Sequence, residues 1–136
     1  MKTLLRRGFG IVFAAGTAIH LYVGSRQPEA YSAFANSAWP PLDVAWSSFV
    51  MPHIRELTLL MAAIEGGIAI GLLWQRKYEK LAVWTAIAFF TFLIPLGYAW
   101  ETNSWGEDLL KNRLGSVIMI LAIAPLLREK SAKDRR

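Results

Sequence analysis

The stretch His53–Gln75, with the sequence HIRELTLLMAAIEGGIAIGLLWQ, decides the fold of this chain. At about 1.5 Å per residue, a helix of this length crosses the roughly 30 Å hydrocarbon core of a bilayer. Glu65 lies close to its midpoint, where an unpaired carboxylate is costly, so this side chain must face protein. Gly67 and Gly71 form a GxxxG pattern, which lets a neighbouring helix approach closely. The stretch therefore predicts a membrane-spanning helix with a polar centre and other helices packed around it.

The composition extends this interpretation to the whole chain. Of the 136 residues, 54% are hydrophobic and 18% are charged, and the mean hydropathy is +0.33. A soluble domain of this size buries only about 60–70% of the surface of its unfolded chain, too little to hide so much apolar area. We therefore predict an all-α protein, a single four-helix transmembrane bundle over residues 1–136, with helices at about 8–24, 53–75, 81–100 and 105–127.

The first apolar stretch, residues 8–24, has two interpretations. Lys2, Arg6 and Arg7 precede it, and a basic start followed by apolar and small residues is also typical of a signal peptide. Cleavage after Ala18 would leave three spans and an inconsistent charge pattern in the later loops. We therefore favour a retained first helix.

The connection 25–52 contains several prolines, which preclude one continuous helix, and aromatic residues suited to the headgroup level. Residues 28–37 have the length of a short interfacial helix. This helix would either anchor the chain at the membrane surface, as we favour, or fold over the mouth of the bundle. Farther along, Pro95 predicts a kink near the far end of the third helix, and residues 128–136 form a charged tail.

Lysine and arginine are distributed unevenly between the two sides of the predicted bundle. Most of the 15 lie before residue 8, between residues 76 and 80, or after residue 127. The positive-inside rule therefore predicts that both termini are in the cytoplasm and that the 25–52 connection is outside. The net charge of +5 does not indicate a nucleic-acid partner, because the charges lie at the ends of apolar segments.

Polar side chains are concentrated in the predicted outer half of the bundle. Glu65 lies about three turns below the outer surface and Arg113 about two turns below it, so we predict that the long Arg113 side chain pairs with Glu65. Glu56 lies on nearly the opposite side of the helix and is expected to face His20, Lys111 or the outer connection. The predicted ligand-binding residues are Glu65, Arg113, Arg55, Glu56, His20 and Tyr98, and no catalytic residue is predicted.

This polar group has more than one interpretation. Glu65 and Arg113 are either a buried ion pair that fixes helix register or the lining of a pocket for a small amphipathic molecule. A third interpretation is a protonatable Glu65 that drives transport. His20 and His53 lie at similar predicted depth and would suit a haem held by two histidines, although His53 at a helix start needs no special role. Too few ligands with suitable spacing are present for a metal site, and the absence of cysteine excludes disulfides and iron–sulfur clusters within this chain.

The second helix and the turn after it, AAIEGGIAIGLLWQRKYEKLA (Ala62–Ala82), resemble the corresponding part of the DoxX-like family of small four-helix bacterial membrane proteins. The first helix, with AGTAIHLYVG (Ala15–Gly24), and the proline-bearing connection fit the same layout. The resemblance implies a quinone-linked setting, because members of that family are associated with sulfur or thiosulfate oxidation coupled to quinone and with membrane complexes that resist oxidative stress. No catalytic residue of the family carries over to this sequence.

We therefore expect a DoxX-like protein of the bacterial inner membrane that acts without enzymatic activity. It would be an accessory component or would bind a small lipophilic ligand such as a quinone. Its partners would be the lipid bilayer and either further copies or a larger membrane complex. The alternatives are a membrane oxidoreductase subunit, linked to quinone or to haem at His20 and His53, and a small proton-coupled transporter. The small multidrug transporters carry their essential glutamate in the first helix, whereas Glu65 is in the second.

Overall fold

The computed structural model describes residues 2–74 and 76–128, and within these ranges every regular element is a helix. Four helices are long and apolar enough to cross a membrane, which confirms the predicted all-α, multi-pass architecture. The predicted tail beyond Arg128 lies outside the described residues, as does Gln75. The four helices are α1 (Lys2–Arg26), α2 (Leu42–Leu73), α3 (Glu79–Leu96) and α4 (Trp105–Leu127).

Helix α2 begins much earlier than the predicted start at His53. A π-helical turn at Trp46–Val50 and a 3-10 turn at Met51–His53 precede the regular helix Ile54–Leu73. These turns change the backbone hydrogen-bonding pattern just where Pro52 has no N–H to donate, so the proline does not end the helix. The connection between α1 and α2 is therefore shorter than predicted and covers residues 27–41, which we call the capping segment.

Helix α3 ends at Leu96, although the apolar pattern predicted a helix as far as Trp100. Gly97 has a φ of 81°, in the left-handed region that glycine adopts without strain, and its N–H bonds the Leu93 carbonyl at 2.8 Å. Pro95 lies in the last turn of α3 and so precedes the end of the helix rather than kinking a longer one. Hydrophobicity alone cannot detect this end, because the residues that follow Gly97 are also apolar.

Helices α1 and α2 pack antiparallel, with glycines of α1 directly against side chains of α2. A Cβ atom added to any of these glycines would collide with the facing side chain. The facing pairs are Gly10 with Leu73, Gly16 with Glu65, and Gly24 with Thr58. These contacts set the relative height of the two helices, and they direct Glu65 toward α1.

The predicted GxxxG pattern of α2 is used at only one of its two glycines. A Cβ atom added to Gly71 would lie 2.8 Å from the Ala82 Cβ of α3. Apart from its chain neighbours and the backbone of its own helix, no described atom lies within 4 Å of a Cβ atom added to Gly67. Gly71 therefore permits the close approach of α2 and α3. Exposed apolar side chains on the outside of the helices, among them Trp84 and Leu121, are compatible with contact to a lipid bilayer.

The two described chain ends lie at the same end of the bundle. The Lys2 ammonium group donates a hydrogen bond of 2.7 Å to the backbone carbonyl of Arg128. Arg6 is buried there, donates to the carbonyl of Leu72, and lies 3.9 Å from the Glu79 carboxylate. These contacts join α1 to the ends of α2 and α4 and to the start of α3.

The capping segment covers the opposite end of the bundle. It contains a 3-10 helix at Pro28–Ala33 and an α-helical turn at Phe34–Ser37. Its Tyr31 is buried in one cluster with Trp46 and Leu96, and the Trp46 indole N–H donates to the Tyr31 carbonyl at 2.8 Å. The segment is thus folded over the bundle, which is one of the two arrangements that the sequence predicts.

Candidate functional site

Glu65 is buried between α1 and α2, with only 5% of its surface exposed. The absence of a side chain at Gly16 makes room for it, since a Cβ there would lie 2.7 Å from both carboxylate oxygens. Glu65 lies about 12 Å from Leu73 along the axis of α2, at about 1.5 Å per residue. The bundle therefore holds a carboxyl group deep within a segment that is apolar enough to span a membrane.

His20 of α1 is an ionisable neighbour of Glu65. Its Nε2 atom lies 3.7 Å from Glu65 Oε2, and its Nδ1 atom lies 2.6 Å from the Tyr31 hydroxyl oxygen. The Tyr31 ring stacks on the imidazole, with ring centroids 5.6 Å apart. We call these three residues the Glu65 site. The site places polar groups from the capping segment, α1 and α2 next to one another, with a 3.7 Å separation between His20 and Glu65.

The tautomer of His20 is linked to the direction of its hydrogen bond with Tyr31. Burial, and then the nearby Glu65 carboxylate, raise the pKa of Tyr31 above its usual value, so its phenol keeps the proton at neutral pH. A protonated phenol can donate to Nδ1, and in that tautomer the neutral imidazole carries its own proton on Nε2. The Nε2–H group is the one on the side of Glu65.

The Glu65 site has one unfulfilled hydrogen-bonding position. Glu65 Oε2 is buried and has no hydrogen-bond partner among the described residues. The 3.7 Å separation from His20 Nε2 is too long for a hydrogen bond. A buried acceptor left in this way costs about 1–3 kcal/mol, so it indicates a place for a further polar group.

Arg113 does not pair with Glu65, so the predicted ion pair is wrong. Its guanidinium group forms a two-pronged contact with Asp108, through Nε to Oδ2 at 3.0 Å and Nη2 to Oδ1 at 3.1 Å. It also donates to the carbonyls of Ile94, at 2.7 Å, and Ser37, and it lies over the Trp39 ring. With four hydrogen bonds, this buried cation is well satisfied and has a structural role.

Asn112 and Tyr98 belong to the same structural region. The Asn112 side-chain oxygen accepts from the backbone N–H groups of Tyr98 and Trp100, at 3.1 Å each. Its amide nitrogen donates to the Trp100 carbonyl at 3.0 Å and to Asp108 Oδ1 at 2.9 Å. We call Arg113, Asp108, Asn112 and Ser37 the Arg113 cluster. Tyr98 places its hydroxyl 2.7 Å from Ser116 Oγ, and neither this bond nor those of its backbone involves the Glu65 site.

The other predicted ligand-binding residues are on the surface. Arg55 and Glu56 are both exposed on α2. Of the partners expected for Glu56, His20 contacts Glu65, and Lys111 forms an ion pair with Glu107. Neither therefore joins Glu56 to the Glu65 site.

The two histidines have separate partners. His53 is exposed, and its Nδ1 atom lies 2.9 Å from the Phe49 carbonyl oxygen, whereas His20 contacts Tyr31 and Glu65. Within residues 2–74 and 76–128, no three His, Asp or Glu side chains are grouped so as to hold a metal ion.

Sequence reasoning missed Tyr31 and Asp108. Tyr31 lies among the aromatic residues of the predicted 25–52 connection, and nothing local relates it to His20. Asp108 carried a weak signal, because it lies four residues before Asn112 and so on the same helical face.

No family model, curated protein or solved structure matches this chain.

Proposed function

We propose that this protein is a DoxX-like component of the bacterial inner membrane, with both termini in the cytoplasm. In this proposal it has no enzymatic activity and binds the polar head group of a small lipophilic molecule, such as a quinone, at the Glu65 site. The observation that carries the proposal is the buried Glu65 Oε2 atom, which has no hydrogen-bond partner among the described residues and lies 3.7 Å from His20 Nε2.

The contrast between the two buried polar groups supports this assignment. Arg113 makes four hydrogen bonds, so its charge is balanced by the fold itself. Glu65 Oε2 has no hydrogen-bond partner among the described residues. Because this atom is buried, the missing hydrogen bond is costly. A ligand that supplies the missing hydrogen bond would be stabilised by it.

Access to the site is compatible with a ligand that reaches it through the bilayer. The His20 side chain is 21% exposed, and the neighbouring Ile19 is exposed on the outside of α1. An apolar tail would lie along this surface while the head group reaches His20 and Glu65. The uneven distribution of lysine and arginine supports the orientation, in which the end bearing both described chain ends faces the cytoplasm.

A second candidate function is proton-coupled transport. The series of a phenol, an imidazole and a carboxyl group favours it, because one polar molecule placed between His20 and Glu65, which lie 3.7 Å apart, would complete a path for a proton. Proton-coupled flux in proteoliposomes would depend on pH and would be lost in Glu65→Gln. Flux that is unchanged in this variant would exclude Glu65 as the coupling group.

Native mass spectrometry of the protein, extracted gently from its own membrane, tests the ligand proposal. We expect a retained small molecule in the wild type and its loss in Glu65→Leu and in His20→Ala. Thr85→Val is the matched control, since Thr85 is half-buried on α3 and its hydroxyl donates to the Leu81 carbonyl of its own helix. A protein that carries no small molecule, or one whose ligand persists in Glu65→Leu, would contradict the proposal.

A further inference from the structure

We infer that the Glu65 site selects a hydroxyl head group, one that both donates and accepts a hydrogen bond, over a head group that only accepts. This inference rests on the proposed function and narrows its ligand class to a phenol, a quinol or a long-chain alcohol, in preference to a quinone, whose oxygens only accept.

The distance between the two facing atoms defines the size of the missing group. His20 Nε2 and Glu65 Oε2 lie 3.7 Å apart, which is too far for a direct bond. The same distance is too short for an oxygen atom on the straight line between Nε2 and Oε2, because its two hydrogen bonds would then need a separation of about 5.5 Å. A single oxygen placed beside the pair, at about 2.8 Å from each atom, contacts both. The position therefore suits one small polar atom.

The protons at the site define the chemistry of that atom. We take the Tyr31 phenol as the donor to His20 Nδ1, 2.6 Å away, which is the tautomer in which His20 offers an N–H group at Nε2. The incoming oxygen must accept this bond. It must also satisfy Glu65 Oε2, which is an acceptor when ionised and a donor when protonated.

A hydroxyl group meets both requirements in either state of Glu65. When the carboxyl is ionised, the hydroxyl accepts from His20 and donates its own proton to Oε2. When the carboxyl is protonated, the two lone pairs of the hydroxyl oxygen accept from both residues. A carbonyl or ether oxygen has no proton to give, so it leaves the ionised carboxylate unsatisfied.

A matched pair of probes tests the inference directly. 4-Nonylphenol and its methyl ether, 4-nonylanisole, have the same tail and ring and differ in the hydroxyl proton and one methyl group. Equal amounts of both are added to the detergent-solubilised protein, and the bound fractions are compared by native mass spectrometry. We expect a preference for the phenol of about tenfold, which corresponds to one charge-assisted hydrogen bond. The preference should disappear in Glu65→Leu and persist in Thr85→Val.

The outcomes separate the inference from the proposed function. Equal binding of the two probes to the wild type, with both lost in Glu65→Leu, would overturn the hydroxyl selection and leave the ligand-binding proposal standing. Binding of neither probe would overturn both. The comparison of the two probes on the wild-type protein needs no variant, so it remains decisive if Glu65→Leu fails to fold.

Discussion

Removal of one negative charge should have very different effects at two adjacent residues of α4. Asp108 faces Arg113, whose side chain is only 4% exposed, whereas Glu107 faces Lys111, whose side chain is 46% exposed. Asp108→Asn and Glu107→Gln make the same chemical change, from a carboxylate to an amide of the same shape. The two variants therefore compare a buried ion pair with a surface ion pair in one helix.

The structure gives the expected size of the Asp108 effect. Both oxygens of Asp108 accept from Arg113. In Asp108→Asn, the amide NH2 group would replace one of these oxygens and face an N–H group of the Arg113 guanidinium. Breaking a buried ion pair from one side costs about 3–5 kcal/mol, and we expect about 3 kcal/mol here, because the Asp108 side chain is 15% exposed. At about 3–4 °C per kcal/mol, the Tm should fall by about 10 °C. Glu107→Gln should leave the Tm within about 1 °C, because surface pairs contribute little and the amide oxygen still accepts from Asn103.

Thermal unfolding in one detergent, followed by intrinsic tryptophan fluorescence, measures both variants. Circular dichroism at low temperature checks that each variant is helical before heating. The double variant Asp108→Leu with Arg113→Met should be more stable than Asp108→Asn alone, since no buried charge remains unpaired. Equal Tm shifts for the two single amide variants, or a shift below about 2 °C for Asp108→Asn, would refute the structural role assigned to the Arg113 cluster.

Two further predictions concern helix packing and helix initiation. Gly24→Ala should lower the free energy of unfolding by about 1–3 kcal/mol, and with it the Tm, because the added methyl group collides with Thr58. Gly67→Ala should not lower the Tm, because no described side chain lies near its Cβ position. Equal Tm values for these two alanine variants would contradict the packing of α1 on α2. Ser104→Ala should cost about 1 kcal/mol, because Ser104 Oγ accepts from the Glu107 N–H at 3.2 Å at the start of α4. Hydrogen exchange should then accelerate in the first turn of α4, and unchanged protection there would exclude Ser104 as a helix cap.

The four spans were predictable because they depend on local composition. An apolar stretch of about 20 residues indicates a spanning helix whatever its neighbours are. The predicted bounds are wrong at the start of α2 and at the end of α3, because a local backbone feature sets each of these helix ends. The turns around Pro52 lengthen α2, and the left-handed φ of Gly97 shortens α3. Neither feature changes the hydrophobicity of its surroundings.

The partner of Arg113 was missed because α4 is not a regular α-helix at that point. Asp108 and Arg113 are five residues apart, which places them about 140° apart at 100° per residue. A π-helical turn at Leu109–Arg113 closes its hydrogen bonds five residues back and thereby brings both side chains to one face. A prediction that assumes regular geometry therefore separates the two charges that the fold brings together.

The partner of Glu65 was missed for a reason of tertiary structure. Sequence reasoning placed Glu65 near the membrane centre and assigned glycines to helix packing, but it could not say which glycine meets which side chain. The contact of Gly16 with Glu65 sets the height of α1 against α2, and His20 then follows one turn later on the same face. Tyr31 reaches His20 only because the capping segment folds back over the bundle.

The capping segment connects the two polar groups of the bundle. Its Ser37 accepts from Arg113 through the backbone carbonyl, and its Tyr31 contacts His20. Loss of the Arg113 cluster would release the segment near Ser37 and so weaken the contact that fixes the His20 tautomer. An Arg113 variant should therefore bind the phenol probe less tightly without any contact between Arg113 and the probe. Because the oxygen of either probe accepts from His20 Nε2–H, the variant should weaken the binding of both probes, and the preference for the phenol, which depends on Glu65, should remain. Circular dichroism checks that the variant is folded, so that weaker binding is not mistaken for loss of folded protein.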